Sequence, residues 1–387
     1  MKVLQINSVC GIRSTGRICS DLAEVLEQNG HECKIAYGRE TVPEKYQKYA
    51  VRIGSDFDVK LHALQSRIFD NAGFGSRRAT EKFIEWVKEY DPDVIHLHNI
   101  HGYYINIEVL FNYLAKADKP VVWTLHDCWA FTGHCAHYSY VKCGKWNVGC
   151  YNCPQKKSYP SSFLFDYSKQ NWIKKNVLFT SVNNMTLVTP SKWLANEVKQ
   201  SFLSKYPVNV IPNGIDLNVF KPTPSDFREK NSLVGKKIIL GVASAWGLKK
   251  GLFDFVELSK CLDEDYKIVL VGLTEKQKKE LPSNILKITR TNNIHELAEI
   301  YTAADVFFNP TYEDNYPTVN LEAQACGTPV ITYRTGGSVE SIPEENVVEQ
   351  GDLRKAISKF ESFLEIAKNI ALDKHLLMKN YLEAYCL

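Results

Sequence analysis

Short β-rich runs alternate with helical stretches along this chain, and the alternation starts afresh a little past its midpoint. In the first half the runs fall at residues 3–6, 33–37, 94–97, 121–125, 187–189 and 208–211, with a helix expected over 16–28. In the second they fall at 238–242, 268–271, 285–288, 306–308 and 330–333, with helices at 251–262, 275–279, 295–304 and 318–325. Parallel strands need long crossovers, usually helical, so this rhythm predicts parallel sheets covered on both faces. The restart predicts two such α/β units of Rossmann type, over 1–212 and 213–368, joined near 212–224. In folds of this kind ligands bind beyond the carboxyl ends of the strands, here in an expected cleft between two sheets.

Composition narrows the class. A chain of 387 residues exceeds one ordinary core and suits two domains of about 150–200 residues. It is 44% hydrophobic and 24% charged, as in globular proteins, and no apolar run approaches the ~18–20 residues of a bilayer span. The run from Met1 to Ile6 soon meets Asn7, Gly11, Arg13 and Arg17, so it reads as a strand and not a secretory signal, with the cytoplasm as the expected compartment. A net charge of +3 gives no broad nucleic-acid footprint, and no nucleic-acid partner is expected. Of eleven cysteines, Cys10, Cys19, Cys33, Cys261, Cys326 and Cys386 are scattered and read as small hydrophobes. The other five lie between Cys128 and Cys153.

The densest chemistry lies in Asp314-Asn-Tyr-Pro-Thr-Val-Asn-Leu-Glu322-Ala-Gln-Ala-Cys326-Gly-Thr-Pro-Val330, which follows a strand and opens a helix. Two carboxylates at a helix start suit hydroxyls of a sugar and a ribose, and the same mouth can hold phosphates. The segment resembles the donor motif of glycosyltransferase family 4, the retaining transferases of GT-B fold. There two acids are separated by seven other residues and Ala-x-x-Cys-Gly-x-Pro-Val follows. The first acid is usually Glu, and that register here holds Asp314, with Glu313 just before it. Residues 210–220, Val-Ile-Pro-Asn-Gly-Ile-Asp-Leu-Asn-Val-Phe, resemble the family's linker signature. The resemblance implies two Rossmann-like domains facing across a cleft, the first for acceptor and the second for donor. It also implies a terminal helix, 369–387, returning to the first domain.

Other motifs follow in the family's order. Ser14, Thr15 and Gly16, between strand and helix, offer backbone N–H groups to an anion, and the resemblance puts Gly16 near the donor diphosphate and Ser14 and Thr15 near the acceptor. His126, after Val-Val-Trp-Thr-Leu125, matches the family's Thr-x-His against the donor sugar, which implies a stabiliser of the oxocarbenium-like centre. His98, His101 and Tyr104 are expected on the acceptor side. The family's Arg, five residues before the Lys of Lys-Gly, is Ala245 here. Lys250 matches, and Lys249 is expected to supply the second charge as a point cation. By the same resemblance Asp314 and Asn315 meet the donor sugar, Glu322 the ribose, and Thr291 and Asn292 the base. Lys250 and Asp314 join His126 as expected catalytic residues.

Cys135-x7-Cys143-x6-Cys150-x2-Cys153, within an insertion over 128–160, suits a structural tetrahedral zinc; an Fe–S cluster has no electron-transfer motif beside it. Asp91/Asp93, Asp56/Asp58 and Asp263/Asp265 read as solvated turns. The resemblance thus implies retaining transfer, without a catalytic metal, of a sugar from a nucleotide diphosphate (UDP favoured over GDP) to a glycan or polyprenyl-diphosphate-linked glycan in surface-polysaccharide synthesis. Arg77 and Arg78 would face acceptor phosphate or an anionic membrane at the inner face, making the protein peripheral there. Three rivals remain at this stage: a nucleotide-sugar 2-epimerase of the same fold, a metal hydrolase on His96 and His98, and a sugar-binding subunit without catalysis.

Overall fold

A computed structural model describes residues 1–362, and these fall into two compact units, Met1–Pro212 and the residues from Asn213 onward. The helix expected over 369–387 lies outside the described residues, as do residues 363–368. Among the described residues no helix is long and apolar enough to cross a membrane.

The first unit holds strands β1 (Lys2–Ile6), β2 (Glu32–Tyr37), β3 (Ala50–Arg52), β4 (Val94–Leu97), β5 (Val121–Thr124), β6 (Met185–Thr189) and β7 (Val208–Val210). They form one sheet in the order β3-β2-β1-β4-β5-β6-β7, and every pairing is parallel. The second unit holds β8 (Lys237–Val242), β9 (Tyr266–Val271), β10 (Ile285–Ile288), β11 (Val306–Asn309), β12 (Val330–Tyr333) and β13 (Val347–Val348). Their order is β10-β9-β8-β11-β12-β13, again parallel throughout.

The strands are predominantly apolar because alternate residues enter different cores. Leu4, Ile6, Ile95, Leu97, Val121, Trp123 and Leu187 pack on one face of the first sheet, whereas Val3, Ile35, Val94, Val122 and Val188 pack on the other. The second sheet repeats the division, with Ile238, Leu240, Val269 and Phe307 on one side and Ile239, Leu270, Phe308 and Ile331 on the other. A strand order that reverses beside the first strand leaves a crevice at that point. The reversal falls between β1 and β4 in one unit and between β8 and β11 in the other.

Three local expectations are corrected. The first helix begins at Arg13, not 16, although Arg13 itself takes a positive φ of 57°. Ser14, Thr15 and Gly16 therefore form its opening turn. Asp56 and Asp58 are not a free turn: Ser55 and Asp58 cap the helix Asp56–Phe69 reciprocally, a capping box that satisfies its first N–H groups. Asp93 accepts the backbone N–H of Lys2 at 2.7 Å, which ties the entry of β4 to that of β1.

Candidate functional site

In the first unit the loops after β1, β4 and β5 bring polar groups to the carboxyl ends of three adjacent strands. Asn7 organises the first of these. Its Nδ2 donates to the Val9 carbonyl at 2.8 Å and to the Thr15 hydroxyl at 3.3 Å, and its Oδ1 accepts from the Asn99 N–H at 3.2 Å. Gly16 is needed for proximity, since a Cβ there would stand 3.0 Å from the Val9 side chain and 3.3 Å from the Gly11 nitrogen. Ser14 is exposed and Thr15 half-buried at the helix start.

His126 sits at the end of a hydrogen-bonded chain that starts in the sheet. Gln5 Nε2 donates to the Cys19 carbonyl at 2.9 Å and to Cys33 Sγ at 3.3 Å. Its Oε1 is thereby turned toward His98 Nε2, 3.0 Å away, and an amide oxygen only accepts, so the His98 proton lies on Nε2. Burial pushes the His98 pKa well below its usual value, so the ring is neutral. Its Nδ1 then accepts from His126 Nε2, 3.0 Å away. Burial pushes His126 down to about 4 against the opposing pull of Asp127. His126 is therefore a neutral imidazole with its proton on Nε2 and its lone pair on Nδ1. Imidazole 15N chemical shifts are expected to show the Nε2–H tautomer at both His98 and His126 near pH 7.5. A Nδ1–H form at either would break this assignment, and Gln5→Leu is expected to mix the tautomers.

A second pair lies beside it. Asp127 Oδ2 accepts from His101 Nε2 at 2.8 Å, Oδ1 accepts the Trp129 N–H at 2.9 Å, and His101 Nδ1 meets the Tyr159 hydroxyl at 3.1 Å. Burial works to raise the Asp127 pKa, but the charge and hydrogen bond of His101 outweigh it and hold the carboxyl at about 2. Tyr104 departs from its expected place. It belongs to the core, is wedged so tightly under Gly38 that a Cβ there would lie 1.9 Å from its own Cβ, and donates to the Asn99 carbonyl. It supports the loop from below. His96 is likewise buried, with Nε2 on the Thr124 hydroxyl at 2.8 Å. Since His98 has both nitrogens engaged by Gln5 and His126, the pair does not form the ligand set of the rival hydrolase reading. Among the described residues no three His, Cys, Asp or Glu side chains stand together in a metal-holding arrangement.

In the second unit the loops after β8 and β11 are joined by two ion pairs. Lys250 Nζ lies 2.5 Å from Asp314 Oδ2, and Lys249 Nζ lies 2.6 Å from Glu313 Oε2. The second contact gives Lys249, itself 35% exposed, a partner in a carboxylate that is only 2% exposed. The position of the absent Arg, Ala245, is exposed. Gly251 makes the close approach of the two loops feasible. Its φ is +70°, and a Cβ would stand 2.3 Å from the Pro310 carbonyl oxygen.

Glu322 lies in the helix Thr318–Ala325, is 6% exposed, and accepts from the Tyr301 hydroxyl at 3.1 Å. Asn315 is buried beside Asp314. Asn213, opening this unit, donates to the Tyr316 carbonyl at 3.1 Å, so the linker motif holds the donor-type motif in place. Thr291 and Asn292 follow β10. Asn292 has its backbone N–H on Glu296 at 2.5 Å, which commits the very group expected to meet a base. Sequence reasoning passed over Gln5, Glu313 as a partner, and Tyr159. Gln5 left the clearest signal, a lone amide in an otherwise apolar central strand.

Comparison with known proteins identifies the family and the fold. A family model described as Glycosyltransferase Family 4 matches residues 15–219, and one described as Glycosyl transferases group 1 matches residues 225–373. The putative colanic acid biosynthesis glycosyl transferase WcaC of Escherichia coli K12 is 24% identical over 376 residues, covering 92% of this chain and 90% of that one. HepE from Anabaena, solved in complex with UDP, superposes with a TM-score of 0.69 at 14% identity over the whole of both chains. Its complex with UDP-glucose gives 0.66 at 16% identity, covering 100% of this chain and 99% of that one. At such identities the solved structures show the shared fold, GT-B.

Proposed function

The chain belongs to Glycosyltransferase Family 4, whose model covers more than half of it, and on that premise we propose that it moves a sugar from a UDP-sugar, with retention and without a catalytic metal, to a glycan or polyprenyl-diphosphate-linked glycan in surface-polysaccharide assembly. The observation that carries the donor assignment is the Lys250–Asp314 pair at the reversal point of the second sheet, with the buried Glu322 behind it. A cation at that point neutralises the diphosphate as it leaves, when its charge is greatest, so its effect is larger in the transition state than in the ground state. Asp314 and Asn315 take donor-sugar hydroxyls, Glu322 the ribose, and Thr291 and Asn292 flank the base. His126, a neutral imidazole, lies against the donor sugar and stabilises the oxocarbenium-like centre. His98 positions it. Retention follows when the diphosphate oxygen takes the acceptor proton on the face it leaves from. UDP is favoured over GDP because HepE is solved with UDP and UDP-glucose.

The acceptor assignment draws on the surface of the first unit. The helix Asp56–Phe69 exposes Phe57, Leu61, Leu64 and Phe69, and the neighbouring exposed Phe163 and Phe165 are tied to it through the Arg67 and Ile68 carbonyls. An apolar face of this kind beside Lys60 and Arg67 suits an anionic membrane, where a lipid-linked acceptor resides. Arg77, by contrast, is engaged by Glu81 and Glu108.

Calorimetric titration with UDP, GDP and ADP tests the donor reading. UDP is expected to bind tightest, and Glu322→Ala to weaken it about 10–100-fold, the loss of a charged hydrogen-bond partner worth ~1.5–3 kcal/mol. Equal binding by the variant, or no binding of any of the three at millimolar concentration, would sink it. Release of UDP from a UDP-sugar without acceptor, together with an epimerised sugar, would instead identify a 2-epimerase.

A further inference from the structure

The loop after β5 contains a second centre that the transfer chemistry does not use. His134, Cys135, Cys143, Cys150 and Cys153 line one small cavity, together with Tyr138, Trp146 and Pro154. The backbone packs tightly around it: the Gly133 N–H points at Cys150 Sγ, 3.1 Å away, and a Cβ on Gly133 would stand 2.7 Å from that of Cys150. The Cys153 N–H is held by Asp166 at 2.6 Å, and the Cys135 thiol hydrogen-bonds Cys153.

His134 gives the cavity its direction. The residue is 2% exposed, and its Nδ1 is hydrogen-bonded to Asp70, a carboxylate whose other oxygen accepts the Tyr167 N–H at 2.9 Å. Nε2 of the same ring is buried and lacks a well-formed hydrogen bond, with a weakly bonded Ser158 backbone group near it. A buried polar atom left unsatisfied costs about 1–3 kcal/mol. A carboxylate fixing one imidazole nitrogen while the other faces thiols is how proteins orient a metal-bound histidine.

We propose that this cavity is a structural Zn²⁺ site closed by His134 Nε2 and the thiolates of Cys135, Cys150 and Cys153, with Asp70 orienting the histidine and Cys143 the spare thiol. The ligand set departs from the four cysteines that spacing alone suggested. Three thiols lose their protons to solvent as the ion binds. Among the described residues no three ligands already converge, so the thiols turn inward on binding, as in sites that form only with their metal. The ion would tie the loop carrying His126 and Asp127 to the end of the helix Asp56–Phe69, where Asp70 stands. The Lys175 ammonium, which donates to the Trp129 and Thr132 carbonyls at 2.8 and 3.1 Å, already fixes the same loop from beneath. The proposal is independent of the transfer reading.

The test is elemental analysis of the full chain purified without chelator, followed by cobalt exchange. About one zinc per chain is expected, retained by Cys143→Ser and lost from Cys153→Ser and His134→Ala. If His134→Ala fails to fold, the Co²⁺ form of the wild type decides: its thiolate charge-transfer bands should have the intensity of three Co–S bonds and be unchanged by Cys143→Ser. A folded, active protein free of metal overturns the site, as does a disulfide between any two of Cys135, Cys150 and Cys153. Four Co–S bonds, or loss of metal from folded Cys143→Ser, overturns the ligand assignment.

Discussion

Lys250→Ala is expected to lower kcat about 10²–10³-fold, the scale set by removing one charge-stabilising group from a transition state, with little change in thermal stability. The Lys250 ammonium is 38% exposed and its partner Asp314 16%, so losing the pair costs the fold little. Lys249→Ala should behave in the opposite manner. Glu313 is 2% exposed while Lys249 is 35% exposed, and removing the hydrogen-bonded cation beside that buried carboxylate destabilises by about 1–3 kcal/mol. Steady-state kinetics and thermal melts of the two variants separate the roles. Equal loss of turnover in both, at unchanged melting temperature, would return Lys249 to the chemistry and refute the division drawn from the ion pairs.

Acid should unfold the first unit before it reaches the ordinary carboxylate range. Burial pushes His62 and His126 down to about 4 and His96 to about 3, and also holds His98 well below its usual value. Between pH 6.5 and these values the unfolded chain binds protons that the folded chain refuses, so stability falls as pH falls. Each pH unit below 6.5 costs about 1.4 kcal/mol for each such histidine. At pH 5, three of them together cost on the order of 6 kcal/mol, comparable with the whole stability of a typical domain. At His134 burial pulls the pKa down, but Asp70 more than offsets it and raises it, so that residue runs the other way and trims the effect. Lys175, which burial lowers to about 7, shares the histidines' sign but acts above neutrality. Urea melts at pH 7, 6 and 5 should show the midpoint falling steadily. A midpoint that is flat or rising toward pH 5 would mean that the histidine cluster is not held neutral.

Much of the fold was legible because a strand buried on both faces has to be an apolar run. The stretch 330–333, buried throughout, was delimited to the residue for that reason. The two-residue β13 and three-residue β3 are too short to carry such a run. The start of the first helix was misplaced because its opening turn, Arg13-Ser-Thr-Gly16, is composed like a loop and its N-cap, Ile12, supplies no capping side chain. Within the site, His126, Lys250, Asp314 and Glu322 were readable from local motifs. What they touch was not, since Gln5 and His98 lie 93 residues apart and meet only because β1 and β4 are neighbours. The same blindness hid the Lys249–Glu313 pair, the burial of Tyr104, and the weakly bonded nitrogen of His134, which spacing among cysteines could not reveal.

The contact of Gly251 with the Pro310 carbonyl has a consequence for how this enzyme can diversify. With no room for a side chain between them, the two loops that carry Lys250 and Asp314 are a single inherited part, and neither can lengthen or be exchanged alone. A lineage acquiring a new donor would have to find its variation elsewhere, in the loops after β9 and β10, while the charge pair passed unchanged from one specificity to the next.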